Sequence, residues 1–123
     1  MRTLEDLAAK GDKQARLAIE IFCYRVRKYI GAYMAALGSL DAVIFTGGIG
    51  ENAAEVRAAA CADMPNLGIV IDPEKNTGMV GRKEGAISTP DSATAVLVIP
   101  TDEEAAIADD TYQTVKESTC PTK

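Results

Sequence analysis

The chain has 123 residues, 47% hydrophobic and 25% charged, with a formal net charge of −5 and no histidine. That size and balance fit one globular domain with a modest core, and the acidic charge argues against a nucleic-acid partner. No apolar run reaches the ~20 residues a bilayer span needs, and without histidine any acid–base or metal work falls to carboxylates.

Residues 2–10 read as a short helix that starts at once, with no signal-peptide pattern. Asp12 then caps a long helix in which Ala15, Ile19, Phe22, Val26, Ile30, Tyr33 and Leu37 form one apolar stripe. Lys13, Arg16, Arg25, Arg27 and Lys28 read as its solvated side, and Gly38 as its end. Leu40–Thr46 alternates too little for a half-exposed strand, which predicts a strand buried on both faces. A helix is expected from about Asn52 to Ala62, a turn at Met64-Pro65-Asn66, and a second strand over Leu67–Asp72. Asp72 to Gly85 reads as a loop, with Gly78, Gly81, Arg82 and Lys83 a surface turn. Ala86–Ser88 predicts a short strand and Thr94–Ile99 a clear one. After Pro100-Thr101 a last helix carries Ala105, Ala108, Tyr112 and Val115 on one face, and residues 118–123 are expected to fray. The order ααβαβ(β)βα predicts an α/β domain with a sheet covered by helices. Cys23, Cys61 and Cys120 lack metal spacing and read as free thiols in a reducing cytoplasm.

The chemistry concentrates at Phe45-Thr46-Gly47-Gly48-Ile49-Gly50-Glu51-Asn52, between a strand and a helix. Glycine lets a ligand approach the backbone, and a helix start offers unpaired N–H groups, so this is a nucleotide-type loop. As Gly48-x-Gly50-x-x-Ala53 it fits a relaxed dinucleotide fingerprint, with Asp72 placed to hold a ribose. A structural turn is the alternative, in which Glu51 and Asn52 serve as first-turn acid and N-cap. Arg57, one turn on, reads as a solvated surface residue. Thr101-Asp102-Glu103-Glu104 reads as a capping box between Thr101 and Glu104, leaving the Glu103 carboxylate available to a hard cation.

Several stretches together resemble the acetate kinase family: Asp41–Asn52, Leu67–Asn76, Ile87–Ser92, Val98–Glu104 and the helix Ile21–Tyr33. They run in order along essentially the whole chain; Asp102 stands where the family more often has Asn. The resemblance implies a partial actin-like (ribonuclease H-like) ATPase domain, with residues 1–123 the C-terminal part of the family's C-terminal nucleotide-binding domain and the N-terminal domain absent. It implies transfer of the ATP γ-phosphoryl to acetate with Mg²⁺, giving ADP and acetyl phosphate. In that reading Gly47, Gly48, Ile49, Gly50, Glu51 and Asn52 line the adenosine. Arg2 matches the arginine of an Asp-x-Arg nucleotide contact, and Glu103 matches a carboxylate associated with Mg²⁺. The acetate pocket and the catalytic residues lie in the missing portion, so no catalytic residue is expected here and the chain is expected to be inactive alone. A cytoplasmic homo-oligomer that binds ATP or ADP, with no nucleic acid and no membrane, is the expectation that follows. A non-catalytic self-association module and an NAD-binding βαβ domain are the alternatives.

Overall fold

A computed structural model describes residues 1–118. Helix α1 (Arg2–Ala9) packs on α2 (Lys13–Leu37). Asp12 caps α2 as expected, its Oδ1 accepting from the amides of Gln14 at 2.8 Å and Ala15 at 3.0 Å. Gly38 closes it in the left-handed conformation at φ +75°. The inward stripe of α2 is shifted from the expected one. Ala15 and Cys23 are buried, and Ile30 and Met34 pack on the core, whereas Tyr33 and Leu37 are exposed.

Strand β1 (Ala42–Phe45) leads to two short helices, α3 (Gly47–Asn52) and α4 (Ala54–Cys61). A single 3₁₀ turn (Pro65–Leu67) and α5 (Pro73–Gly78) follow, then β2 (Gly85–Ala86), β3 (Ala95–Val98) and α6 (Glu103–Ser118). The sheet order is β1-β3-β2. β1 runs parallel to β3 with Ala42 opposite Ala95 and Phe45 opposite Val98, and β2 is antiparallel. The parallel pair requires a crossover, which α3, α4 and α5 supply. The core gathers Cys61, Met64, Ile69, Ile87, Val96 and Val98, with Val43 and Phe45 packed against it.

Four expectations are corrected. β1 is an edge strand with one face on the core; Ile44 on its other face is 53% exposed. Residues 67–72 do not form a strand. Gly68 turns at φ +80° and Ile71 makes one isolated bridge to Ser88. The Ser92 hydroxyl accepts from Val70 N at 3.1 Å and lies 3.0 Å from Gly68 O, so a side chain takes the place of a strand neighbour there. The expected loop after Asp72 begins with α5, which has Asp72 as its N-cap and Pro73 at its first position. Arg27 is not on the wet side: it donates to Ala59 O at 2.6 Å and Ala60 O at 3.4 Å and pairs with Asp63 at 2.7 Å, capping the C-terminal end of α4. Arg25 and Lys28 are exposed as expected. The side chains of α6 from Glu103 to Lys116 are exposed. Cys23 and Cys61 are free thiols and buried, whereas Cys120 and the fraying expected past Ser118 fall outside the described residues.

Candidate functional site

The loop after β1 is shaped by two glycines. Gly47 sits at φ +70°, a conformation L side chains resist, and turns the chain into α3. At Gly50 a Cβ would lie 3.0 Å from the Phe45 carbonyl carbon, so α3 folds back closely on the end of its own strand at a position where a side chain would force the backbone to shift. The parallel pairing of β1 and β3 brings their C-terminal ends side by side, the usual ligand edge of such sheets. There Thr101 Oγ1 accepts from Gly47 N at 3.1 Å and lies 2.5 Å from Thr46 Oγ1. Glu51, 8% exposed, returns the link: its Oε1 accepts from Thr101 N at 3.0 Å. Between the two ends lies a cleft of 280 Å³ lined by Gly47, Gly48, Glu51, Arg82 and residues 101–104.

Gly47, Gly48, Glu51 and Glu103 therefore meet in one cleft. Ile49 and Gly50 face the opposite side, in a pocket of 310 Å³ with Phe45, Val56 and Arg57. Asn52 borders a third and larger cleft of 820 Å³ between α1, α4 and the 69–77 segment. Its Nδ2 donates to Gly48 O at 3.1 Å and its Oδ1 accepts from Gly81 N at 3.3 Å. Arg2 is exposed at the start of α1 and lines none of these three. Glu51 and Asn52 close α3 rather than opening a helix, so the cap reading of this pair is overturned.

The expected capping box is replaced as well. With its hydroxyl engaged by Thr46 and Gly47, Thr101 is not the cap. Asp102 takes that place, its Oδ1 accepting from Ala105 N at 3.1 Å and its carbonyl from Ala106 N at 3.2 Å. Glu103 is left exposed on the first turn of α6. Among the described residues no three acidic, cysteine or histidine side chains converge as a ligand set. Glu103 and Glu104 both line the cleft as exposed carboxylates, a donor type that fits Mg²⁺, a cation that keeps waters and phosphate oxygens around one or two carboxylates. Asp72 is committed elsewhere: its Oδ1 accepts from Glu74 N at 3.0 Å and Lys75 N at 3.1 Å, which removes the ribose contact on which the dinucleotide reading rested.

Arg57, read from the sequence as a surface residue, is fully buried. It donates to Gly50 O at 2.7 Å, Asn76 Oδ1 at 2.8 Å, Asn76 O at 2.7 Å and Met79 O at 2.8 Å. Burial pulls its pKa below the ordinary arginine value. A signal for it existed. Val56, Arg57, Ala60 and Cys61 form the buried stripe of α4, and Arg57 falls inside that stripe rather than opposite it.

Residues 1–109 match the model of the acetokinase family. The chain belongs to that family. It is 55% identical over 111 residues to an acetate kinase of Bacteroides fragilis, a match covering 90% of this chain and 27% of that protein. With an acetate kinase of Thermotoga maritima it shares 48% identity over 116 residues, 94% of this chain and 29% of the relative. The crystal structure of Porphyromonas gingivalis acetate kinase superposes with a TM-score of 0.83 at 47% identity, over 93% of this chain and 28% of that one. A propionate kinase from Francisella tularensis gives 0.76 at 47% identity, over 87% of this chain and 27% of that one. The chain thus spans little more than a quarter of the length of the relatives it matches, and its mixed sheet with helices is part of the actin-like ATPase fold of acetate kinases. No described helix is long and apolar enough to cross a membrane.

Proposed function

We propose that this chain supplies the adenosine wall and one Mg²⁺-associated carboxylate of an acetokinase-type phosphotransferase, the reaction being ATP and acetate to ADP and acetyl phosphate. The observation that carries the reading is the cleft at the paired C-terminal ends of β1 and β3, where the glycine helix and the acidic start of α6 are tied together through Thr101 and Glu51. In this reading Gly47, Gly48 and Glu51 line the cleft that takes the adenosine, while Ile49, Gly50 and Asn52 shape the same loop from its other sides and Arg2, outside these clefts, reaches the nucleotide from the start of α1. Glu103 holds Mg²⁺ directly or through water, and the ion supplies charge neutralisation at the phosphates. Phosphoryl transfer needs several positive groups around the moving phosphoryl. Among the described residues Arg82 is the one cation lining this cleft, so in this reading the chain by itself binds without turning over.

Calorimetric titration with ATP, ADP and NAD tests the ligand. Weak binding of the adenine nucleotides with Mg²⁺, and none of NAD, is the expected result; NAD binding lost on Asp72→Ala would reverse it. A coupled acetate-dependent assay tests the rest, and turnover at even a hundredth of ~10 s⁻¹, a typical enzyme rate, would contradict the binding-only reading. A second reading, self-association, has its own support in the apolar side chains that α2 leaves exposed, among them Leu17, Ile21, Tyr29 and Leu37. In the cytoplasmic setting proposed for the protein it forms a homo-oligomer, and light scattering showing only monomer at high micromolar concentration would remove that element.

A further inference from the structure

We infer that Arg57 is a positioning residue for the ligand loop: buried behind Gly50, its guanidinium fastens the carbonyl ends of α3 and α5 to each other and so sets the loop Gly47–Asn52 against the 79–82 turn. The inference rests on the adenosine-wall reading for its effect on affinity, but the coupling itself does not need a ligand.

Its acceptors explain why a cation is buried there. All are neutral oxygens, and among the described residues no carboxylate forms an ion pair with Arg57. Gly50 O lost its helical partner because the chain bends out of helix at Ala53 (φ −101°, ψ 79°). Met79 O lies just past the C-terminal end of α5, where carbonyls again run out of amides, and Asn76 O in the last turn has only the Met79 amide at 3.3 Å beside the guanidinium. Helix C-termini carry partial negative charge. Two of them facing one guanidinium supply the compensation that a carboxylate usually gives a buried arginine, and the planar fork reaches both at once, which a lysine ammonium cannot do.

The geometry makes this a coupling and not only a filled space. Asn76, 4% exposed, is held between Arg57 and α4, its Nδ2 donating to Ala54 O at 2.9 Å. On the outer side Asn52 Oδ1 accepts from Gly81 N. The loop end is thus fixed to the 76–81 segment twice, from inside by Arg57 and from outside by Asn52. The next residue, Arg82, at φ +64°, lines the same cleft as Gly47 and Gly48. A shift at Arg57 therefore moves two walls of the cleft, and it reaches the cluster around Ile87 and Val96 only through Met79, which packs on that cluster.

The test compares Arg57→Lys and Asn76→Ser with the parent in the 123-residue chain, by amide hydrogen exchange and ATP titration. Both variants should keep parent-like exchange at Ile87 and Val96. Exchange at Ala53 and Gly81, whose amides bond to Ile49 O and Asn52 Oδ1, should rise roughly tenfold or more, as a local opening that spares the core. ATP affinity should fall by about tenfold or more, and for Arg57→Ala added methylguanidinium should restore part of the loss. Parent-like exchange at Gly81 in both variants overturns the inference. So does an equal rise at Ile87 and Val96, or failure of both variants to fold, because either outcome makes the arginine a general structural residue. If the parent itself does not bind ATP, the adenosine-wall reading fails, while the exchange at Gly81 still decides the coupling.

Discussion

The surroundings of Arg57 and the surface of α6 are opposites. Around Arg57 a charged side chain is fully buried and every hydrogen-bond acceptor it meets is a helix end or an amide. On α6 the apolar Ile107 and Tyr112 are 66% and 61% exposed. Residue type alone would have placed them the other way round. Burial follows from what the fold sets opposite a position. An arginine is stable inside when orphan carbonyls converge on it, and an apolar helix face stays wet where no element covers it.

The largest effect should come from removing the guanidinium outright. Arg57→Met removes the donor to the Gly50 and Met79 carbonyls and to Asn76 Oδ1, while Asn76 O keeps the Met79 amide. Each unmet group costs ~1–3 kcal/mol, so a loss of about 3–5 kcal/mol in chemical denaturation is expected. A loss below about 1 kcal/mol would mean that water reaches these carbonyls and that the contrast with α6 is false.

Much of the fold could be read along the chain because the signals were local. The Asp12 cap, the Gly38 stop and the β3 run need only their own neighbours. What could not be read depended on partners distant in sequence. Ser92 bonds across 22 residues to Val70 and so replaces a strand neighbour. Thr101 bonds across 54 residues to Gly47 and is thereby withdrawn from its expected cap. At the site, the glycine loop and the acidic helix start were legible as chemistry, and β1–β3 pairing joins them. Arg57 was legible only as a position inside the apolar stripe of α4, a signal its charge outweighs in a periodicity argument, and Asn76 depends on partners 19 and 22 residues away.

The buried thiol on α4 gives the next effect, through pH. Burial pushes the Cys61 thiol from 9.0 up to about 11, with Arg27 opposing. Below pH 9 the thiol is neutral folded and unfolded, and its contribution is complete. As pH rises from 9 toward 11 the unfolded chain ionises first, and stability falls by roughly 2–3 kcal/mol. The difference between parent and Cys61→Ala in urea midpoints across that window isolates the thiol from tyrosine and lysine titration. Parallel pH profiles for the two proteins would show that Cys61 is hydrated, unlike Arg57.

Smaller again is the separation of roles at the start of α6. Asp102→Ala removes the acceptor for Ala105 N and should cost about 0.5–2 kcal/mol of stability. Glu104→Ala, exposed and outside the cap, should stay within roughly 0.5 kcal/mol of the parent. Equal losses would restore the capping box that the geometry replaces. The residue between them bears on the cleft: Glu103→Ala should leave melting unchanged and weaken only the Mg²⁺ dependence of nucleotide binding.

The smallest effect is expected on the face of α6 itself. Ile107 and Tyr112 have little surface to lose on unfolding because they are already mostly in water, so Ile107→Ser with Tyr112→Ser should change monomer stability by less than about 0.5 kcal/mol. The informative variable is concentration. If these side chains are covered by a second copy of the chain, the parent's melting temperature should rise with protein concentration, as for any fold stabilised by association, and the double variant should flatten that dependence. A stability loss above about 1 kcal/mol at the lowest concentration would mean that α6 packs within the monomer after all, and the contrast between a covered arginine and an uncovered apolar face would then fail at its exposed end.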